Sequence, residues 1–390
     1  MFDFDRVIER RGTHATKWDN IAKLSGIDAP DAIPMWVADM DFAAPPGVTE
    51  ALAAENRRAV HGYYADTGSW AAALADWMAR RHGLRVDPSW VSPTPGVVSG
   101  LGLILQAVSA PGDEVVVFPP AYHAFRRIIT ANDRRILDAQ LVETDGRYVM
   151  DLDALNAKLT PRTKVVFFCS PHNPGGTVWT PDEIRALAAF CATHDLILVS
   201  DEIHCDLVFK GARHTPTLVA APEIADRLIT CVAATKTFNL AGAHVGACVT
   251  SNAELKRRLD ARIQASGLAS YNSFGMIATE AAWRTGDAWL DALVAGHHAV
   301  DLSHLVAELV DGGTKLDKVQ FRSRQEANAA KPPGRSLMVA VKRAKRPSAA
   351  RPFSITRPRT ASDAGIPITA AERRTRVPGA NFIRSSAARV

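Results

Sequence analysis

Lys164-Val165-Val166-Phe167-Phe168-Cys169-Ser170-Pro171-His172-Asn173-Pro174-Gly175-Gly176 decides the fold. Its first six residues form a short apolar run, β-branched and aromatic, of the length of one buried strand. The run stops at Ser170-Pro171, and Pro and Gly then crowd into a rigid loop that presents the amide of Asn173. Downstream, Pro181 to His194 has helical character, and Leu196 to Ser200 is a second apolar run. Strand, helix, strand at this spacing is the unit of an α/β domain with a mainly parallel sheet. Glu114 to Phe118 supplies another strand of the same kind, and runs near 228–234 and 244–250 read as further strands. Helical periodicity covers 47–60 and 69–82, the latter ending near Gly83, and Gly96 to Val108 reads as an apolar helix opened by glycine. Residues 1–45 read as an irregular arm with one apolar stretch, Ile33 to Val37.

In parallel α/β sheets ligands gather at the carboxyl ends of the strands, so polar residues there matter most. Four clusters qualify. The first is the loop from Ser170 to Thr177. The second is Ser200-Asp201-Glu202-Ile203-His204. The third, Ala234-Thr235-Lys236-Thr237-Phe238-Asn239-Leu240-Ala241-Gly242, sets an amine between two threonines after an apolar run. The fourth, Thr94-Pro95-Gly96-Val97-Val98, opens a helix, where free N–H groups suit a phosphate. Taken singly each has an ordinary reading: a turn, a helix cap or ion pair, a solvated lysine, a glycine-opened helix. Their order along the chain is what points to chemistry.

That order resembles the fold-type I pyridoxal-phosphate enzymes of the aspartate aminotransferase superfamily. The shared pattern is a glycine at a helix start, an aromatic after Pro-Pro, Asn-Pro-x-Gly, Asp-x-x-His or Tyr, then Ser or Thr before Lys. Here these are Gly96, Tyr122, Asn173, Asp201 with His204, and Thr235 with Lys236. The match is closer to one branch, the cystathionine β-lyase/PatB- and MalY-like C–S lyases. It is carried by Ile33-Pro34-Met35-Trp36-Val37-Ala38-Asp39-Met40-Asp41-Phe42, by Asp201-Glu202-Ile203-His204-Cys205-Asp206-Leu207 and by Lys236 to Gly242. It covers roughly residues 1–300.

The resemblance implies a large domain with a mainly parallel seven-stranded sheet flanked by helices, and a smaller C-terminal α/β domain. The expected boundaries are an arm and the start of the small domain at 1–45, a cofactor domain at 46–285 and a C-terminal small domain, atypical here, at 286–390. It implies pyridoxal 5′-phosphate as cofactor, with Lys236 carrying it and taking the Cα proton of an amino acid. Asp201 would face the pyridine nitrogen, Asn173 the phenolic oxygen, with His204 on the same side, and Tyr122 would stack on the ring. Gly96, Val97 and Thr235 would hold the phosphate, together with Tyr63 from the other subunit of a homodimer. Trp36, Ala38 and Asn173 would line the substrate side. The implied reaction is β-elimination of a thiol from cystathionine or a related cysteine S-conjugate, leaving pyruvate and ammonia. Two alternatives stay open: a class I/II aminotransferase using the same lysine and aspartate, and a regulatory protein that keeps the fold with weak lyase activity.

The chain departs from the family towards its end. Residues 313–390 hold 18 Lys or Arg against 4 Asp or Glu, so the overall charge of +5 belongs to the tail and the rest is net acidic. Arg343-Ala344-Lys345-Arg346-Pro347-Ser348 has the composition of solvated chain, and Leu337 to Val341 is the one strand-like run there. The family's substrate-carboxylate arginine would correspond to Arg384, which is followed by Ser385-Ser386 instead of Leu-Asn. Because the basicity is confined to the tail, the main body gives no sign of a nucleic-acid partner. Five cysteines without a CxxC pair read as buried thiols, not as a disulfide framework or metal site. Acids near Met1 and the lack of an apolar run of about 18 residues argue for a cytoplasmic protein without a membrane span.

Overall fold

The computed structural model describes residues 2–298, apart from 27–33, 35 and 210. Its strands are β1 (Val91–Thr94), β2 (Glu114–Val117), β3 (Arg135–Asp138), β4 (Val142–Thr144), β5 (Arg147–Val149), β6 (Thr163–Cys169), β7 (Ile197–Asp201), β8 (Leu228–Val232) and β9 (Gly246–Val249). Seven of them form one sheet in the order β1-β9-β8-β7-β6-β2-β3, while β4 and β5 make a separate antiparallel hairpin. Pairing is parallel from β8 through β7, β6 and β2 to β3. Only β9 runs against its neighbours β1 and β8. The apolar runs expected as strands near 114, 164 and 196 are β2, β6 and β7.

Alternation along the central strands β2 and β6 explains why they carry no polar face. In β6, Val165, Phe167 and Cys169 join the core under helix Val97–Val108, whereas Val166 and Phe168 join the core under helix Pro181–Thr193. The same split divides Val115 and Val117 from Val116 in β2. A sheet covered on both faces selects continuous apolar strands. The helices start where local chemistry allows. Thr180 and Glu183 form a reciprocal cap with Pro181 in the first turn. Asp66 caps helix Thr67–His82, which ends at Gly83 with φ 67°.

A third core forms where the arm meets helices Thr67–His82, Ser273–Thr285 and Asp287–His298. Trp70, Trp77, Trp283, Trp289 and Phe238 are buried together there, with Phe42 of the arm. Trp77 meets Phe238 edge-on at 5.3 Å, and Phe4 meets Trp289 at 5.6 Å. All five cysteines are buried free thiols, as the sequence suggests. Among the described residues no helix is long and apolar enough to cross a membrane.

Candidate active site

The carboxyl ends of β1, β2, β6, β7 and β8 share one edge of the sheet, and the chemistry-bearing loops all leave from it. Asn173, Asp201 and Lys236 follow β6, β7 and β8, three adjacent strands. At about 4.8 Å per strand they span roughly 10 Å of that edge. The backbone ties the loops together: Ser170 N donates to Asp201 O (2.9 Å), and Glu202 N to Cys231 O (2.8 Å).

Lys236 sits in a single helical turn, Ala234–Thr237. Its Nζ donates to the carbonyl of Ala38 at 2.8 Å, so the arm lies over the lysine. Asn239, at φ 58°, adopts the left-handed region that Asn tolerates. Its Nδ2 donates to Met40 O and Phe42 O, both at 2.8 Å. Ion pairs hold the arm's other side. Arg10 reaches Asp39 and Asp41 at 2.8 Å each, and Lys17 reaches Asp41 at 2.7 Å and Asp39 O at 2.8 Å. Trp18 Nε1 donates to Asp41 Oδ1 at 2.8 Å. Burial pushes Asp41 up, but these donors outweigh it and hold its carboxyl below the ordinary range. Burial lowers the Lys17 ammonium by more than Asp41 restores.

Asp201 is buried, and the hydrogen bond to its side chain comes from Ile203 N at 3.2 Å. Burial pushes this carboxyl up to about 7; the Ile203 N–H and Lys236 pull it down, and Glu202 adds to the rise. His204 is lowered to about 4, by burial first and then by the charge on Lys236. Tyr122 is half-buried and raised, by burial and then by Asp201. Thr235 is buried beside Lys236.

The helix that follows β1 begins at Gly96, with φ 84° and no side-chain cap. A Cβ on Gly96 would meet nothing within 4 Å, so open space lies in front of an uncapped N-terminus. Gly246 of β9 backs this corner, since a Cβ there would lie 2.9 Å from Val97 N and 3.0 Å from the Gly96 carbonyl carbon. Ser170 Oγ is buried without a hydrogen-bond partner among the described residues. An uncapped helix start, a buried acid short of positive charge and an amine on one edge form a donor set that fits pyridoxal phosphate. Its phosphate suits the helix N-terminus and its cationic ring nitrogen suits Asp201.

The structure thus brings Gly96, Val97, Tyr122, Asn173, Asp201, His204, Thr235 and Lys236 to one edge, with Ala38 above the lysine. Trp36 is partly exposed and its Nε1 donates to Lys17 O at 3.2 Å. Tyr63 is 95% exposed and stands away from this chain's own core. Arg384 lies outside the described residues, as do Leu337 to Val341. Sequence reading missed Arg10, Lys17, Asn239, Asp206, His82 and Thr237 as supports of the site. Asp206, Thr237 and Asn239 fall inside the quoted motifs, whereas nothing in the sequence marks Arg10 or Lys17.

Residues 31–310 match the family model "Aminotransferase class I and II". The chain is 40% identical over 293 residues to cystathionine beta-lyase PatB of Bacillus subtilis, covering 75% of each. Cystalysin from Treponema denticola, a crystal structure described as containing a pyridoxal 5′-phosphate cofactor, superimposes with a TM-score of 0.73 at 31% identity. It covers 76% of this chain and 75% of that one. A structure described as the PLP-bound C-S lyase from Staphylococcus hominis gives 0.72 at 28% identity, covering 80% and 77%.

Proposed function

Because the chain belongs to the aminotransferase class I and II family, we propose that it is a pyridoxal-phosphate-dependent carbon–sulfur lyase. Its substrates are cystathionine or related cysteine S-conjugates, and its products a thiol, pyruvate and ammonia. The observation that carries this reading is the meeting of Lys236 Nζ with the arm's Ala38 carbonyl, on the sheet edge that also bears Asp201. It joins the motif that sets the lyase branch apart to the lysine that every branch needs.

When bound, the cofactor supplies an electron sink for charge developing on the substrate Cα. The residues do the rest. The Val97 N–H and the Thr235 hydroxyl would hold the phosphate at the helix start, beside Gly96, whose own N–H donates to Thr94 O at 2.7 Å. Asp201 would set its carboxyl against the ring nitrogen, where a cationic partner would favour the ionised form of a buried acid raised to about 7. Tyr122 would cover one face of the ring, and Asn173 and His204 would stand on its phenolic side. The Lys236 amine removes the Cα proton, which departure of the β-sulfur requires. Burial keeps His204 neutral at physiological pH, so it adds no second cation beside that amine. Trp36 and Ala38 border the substrate entrance, and Arg384 is the proposed carboxylate ligand. The reading also places the protein in the cytoplasm as a homodimer, in which the exposed Tyr63 reaches the phosphate of the second copy.

The test is a product assay on the purified chain supplied with pyridoxal phosphate and cystathionine, without any keto acid. The lyase reading expects pyruvate and thiol in equal amounts. A keto acid formed only when an amino acceptor is added would replace it with a transaminase.

A further inference from the structure

Lys236 occupies one helical turn of four residues, too short to be stable by itself. Its direction must therefore be set by what its neighbours touch. Thr237 is fully buried, and its Oγ1 donates to Asp206 Oδ2 at 2.6 Å. Asp206 is 4% exposed and collects further donors from helix Thr67–His82. Trp77 Nε1 lies 3.1 and 3.2 Å from its two oxygens, and His82 Nε2 lies 2.6 Å from Oδ1. Trp77 also packs on Phe238, the residue after the turn. Asp206 itself lies five residues beyond Asp201, on the loop leaving β7. One carboxylate thus bolts three pieces together: the lysine turn after β8, the loop that carries Asp201 and His204, and a long helix.

From this geometry we infer that Asp206 is a positioning residue: through the Thr237 hydroxyl it fixes the Lys236 amine relative to Asp201. The inference rests on the lysine and aspartate roles given above. Those two groups would hold opposite ends of the cofactor, so an error in their separation would misplace the amine over the Cα proton. Misplacement on the scale of an ångström costs about 100-fold in rate. Loss of one hydrogen bond to a carboxylate is milder, about tenfold.

The atoms of His82, Cys205 and Asp206 also lie within 4.8 Å of one another, the spacing of a cation site. Here the carboxylate is already satisfied. Both oxygens face N–H or O–H donors, and an indole nitrogen can only donate. Burial pushes Asp206 up, yet the bonds from His82, Thr237 and Trp77 keep it ionised, below the ordinary range. Asp206 therefore acts as a structural anion, not as a ligand awaiting metal.

Three variants test the inference. Thr237→Val keeps the volume and removes the donor, Thr237→Ser keeps the donor, and Trp77→Phe weakens the carboxylate's hold from the far side. Two readouts are taken. The first is the rate at which acetic anhydride acylates Lys236 in the cofactor-free chain, relative to the other lysines, by peptide mass spectrometry. The second is kcat, KM and the visible circular dichroism per bound cofactor in the loaded enzyme. Thr237→Val should change the relative acylation of Lys236 by about threefold or more and lower kcat about tenfold, with KM moving under about twofold and an altered dichroism band. Thr237→Ser should restore all of these, and Trp77→Phe should shift them in the same direction by less. Unchanged acylation in both Thr237→Val and Trp77→Phe, or failure of Thr237→Ser to restore it, overturns the inference. The acylation readout needs no cofactor, so it decides the role of Asp206 even if wild type gave no visible band, a result that would count against the proposed function instead.

Discussion

Replacing Asp41 by Asn removes one charge from the group that holds the arm over Lys236. In the wild type Asp41 accepts from Arg10, Lys17 and Trp18 at 2.7–2.8 Å, and Lys17 is 2% exposed. Removing one partner of a fully buried pair costs about 3–5 kcal/mol. Arg10 keeps Asp39 and is 21% exposed, which argues for the low end, about 3 kcal/mol. At 1.4 kcal/mol per decade this shifts docking of the arm by about 150-fold. The loss should be local, because the Asp41 partners Arg10, Lys17 and Trp18 all lie in the arm and none belongs to the sheet. Hydrogen exchange followed by mass spectrometry reads it directly. Peptides covering residues 9–19 and 36–42 should exchange about 100-fold faster in Asp41→Asn, while peptides of β6 and β7 keep their protection. Lys236 should also acylate faster, because the Ala38 carbonyl is no longer held against it. Unchanged exchange in the arm would refute the clasp, and an equal loss of protection in β6 and β7 would refute its local character.

Other outcomes follow from the electrostatics and packing. The Asp201 carboxyl is raised in the fold, so its contribution to stability is full below its unfolded value and disappears as pH rises to about 7. Calorimetry of the cofactor-free protein should accordingly find Asp201→Asn more stable than wild type at pH 8, by about 5 °C or more in Tm, with no gain at pH 4. The same substitution should weaken pyridoxal phosphate binding by about 10–100-fold in fluorescence titration, the worth of a charge-assisted bond. In Gly246→Ala the new methyl would press on the backbone at Gly96 and Val97. Overpacking of this kind costs about 1–3 kcal/mol, and the helix start should lose about tenfold in affinity for the cofactor with little change in the visible spectrum of what binds. Equal affinity in wild type and Gly246→Ala would show that this corner does not hold the phosphate.

Elements buried on both faces were legible, because β2, β6 and β7 need unbroken apolar runs. The edge strands were not. β1 reads Val91-Ser92-Pro93-Thr94, and proline survives there because an edge strand leaves part of its backbone unpaired. β3 begins with Arg135 and ends with Asp138, so its polarity disguised it. The reversed direction of β9 was equally hidden, since an apolar run says nothing about which way it points. At the site, Lys236, Asp201, Asn173 and Gly96 could be found because each follows a strand or opens a helix in a fixed order. Their supports could not. Asp206 meets Trp77 and His82 across 129 and 124 residues, and Arg10 meets Asp41 only once the arm folds back across 31 residues. Such pairs leave no local pattern, since both partners are ordinary polar or aromatic residues until the fold joins them.

Lys236 is the residue on which the proposed chemistry depends. Borohydride reduction of the chain loaded with pyridoxal phosphate, followed by proteolysis and mass spectrometry, locates the amine that holds the cofactor. A pyridoxyl group on the peptide containing Lys236, absent from Lys236→Ala, is the predicted result. A pyridoxyl group on another lysine, or none on either protein, would contradict it.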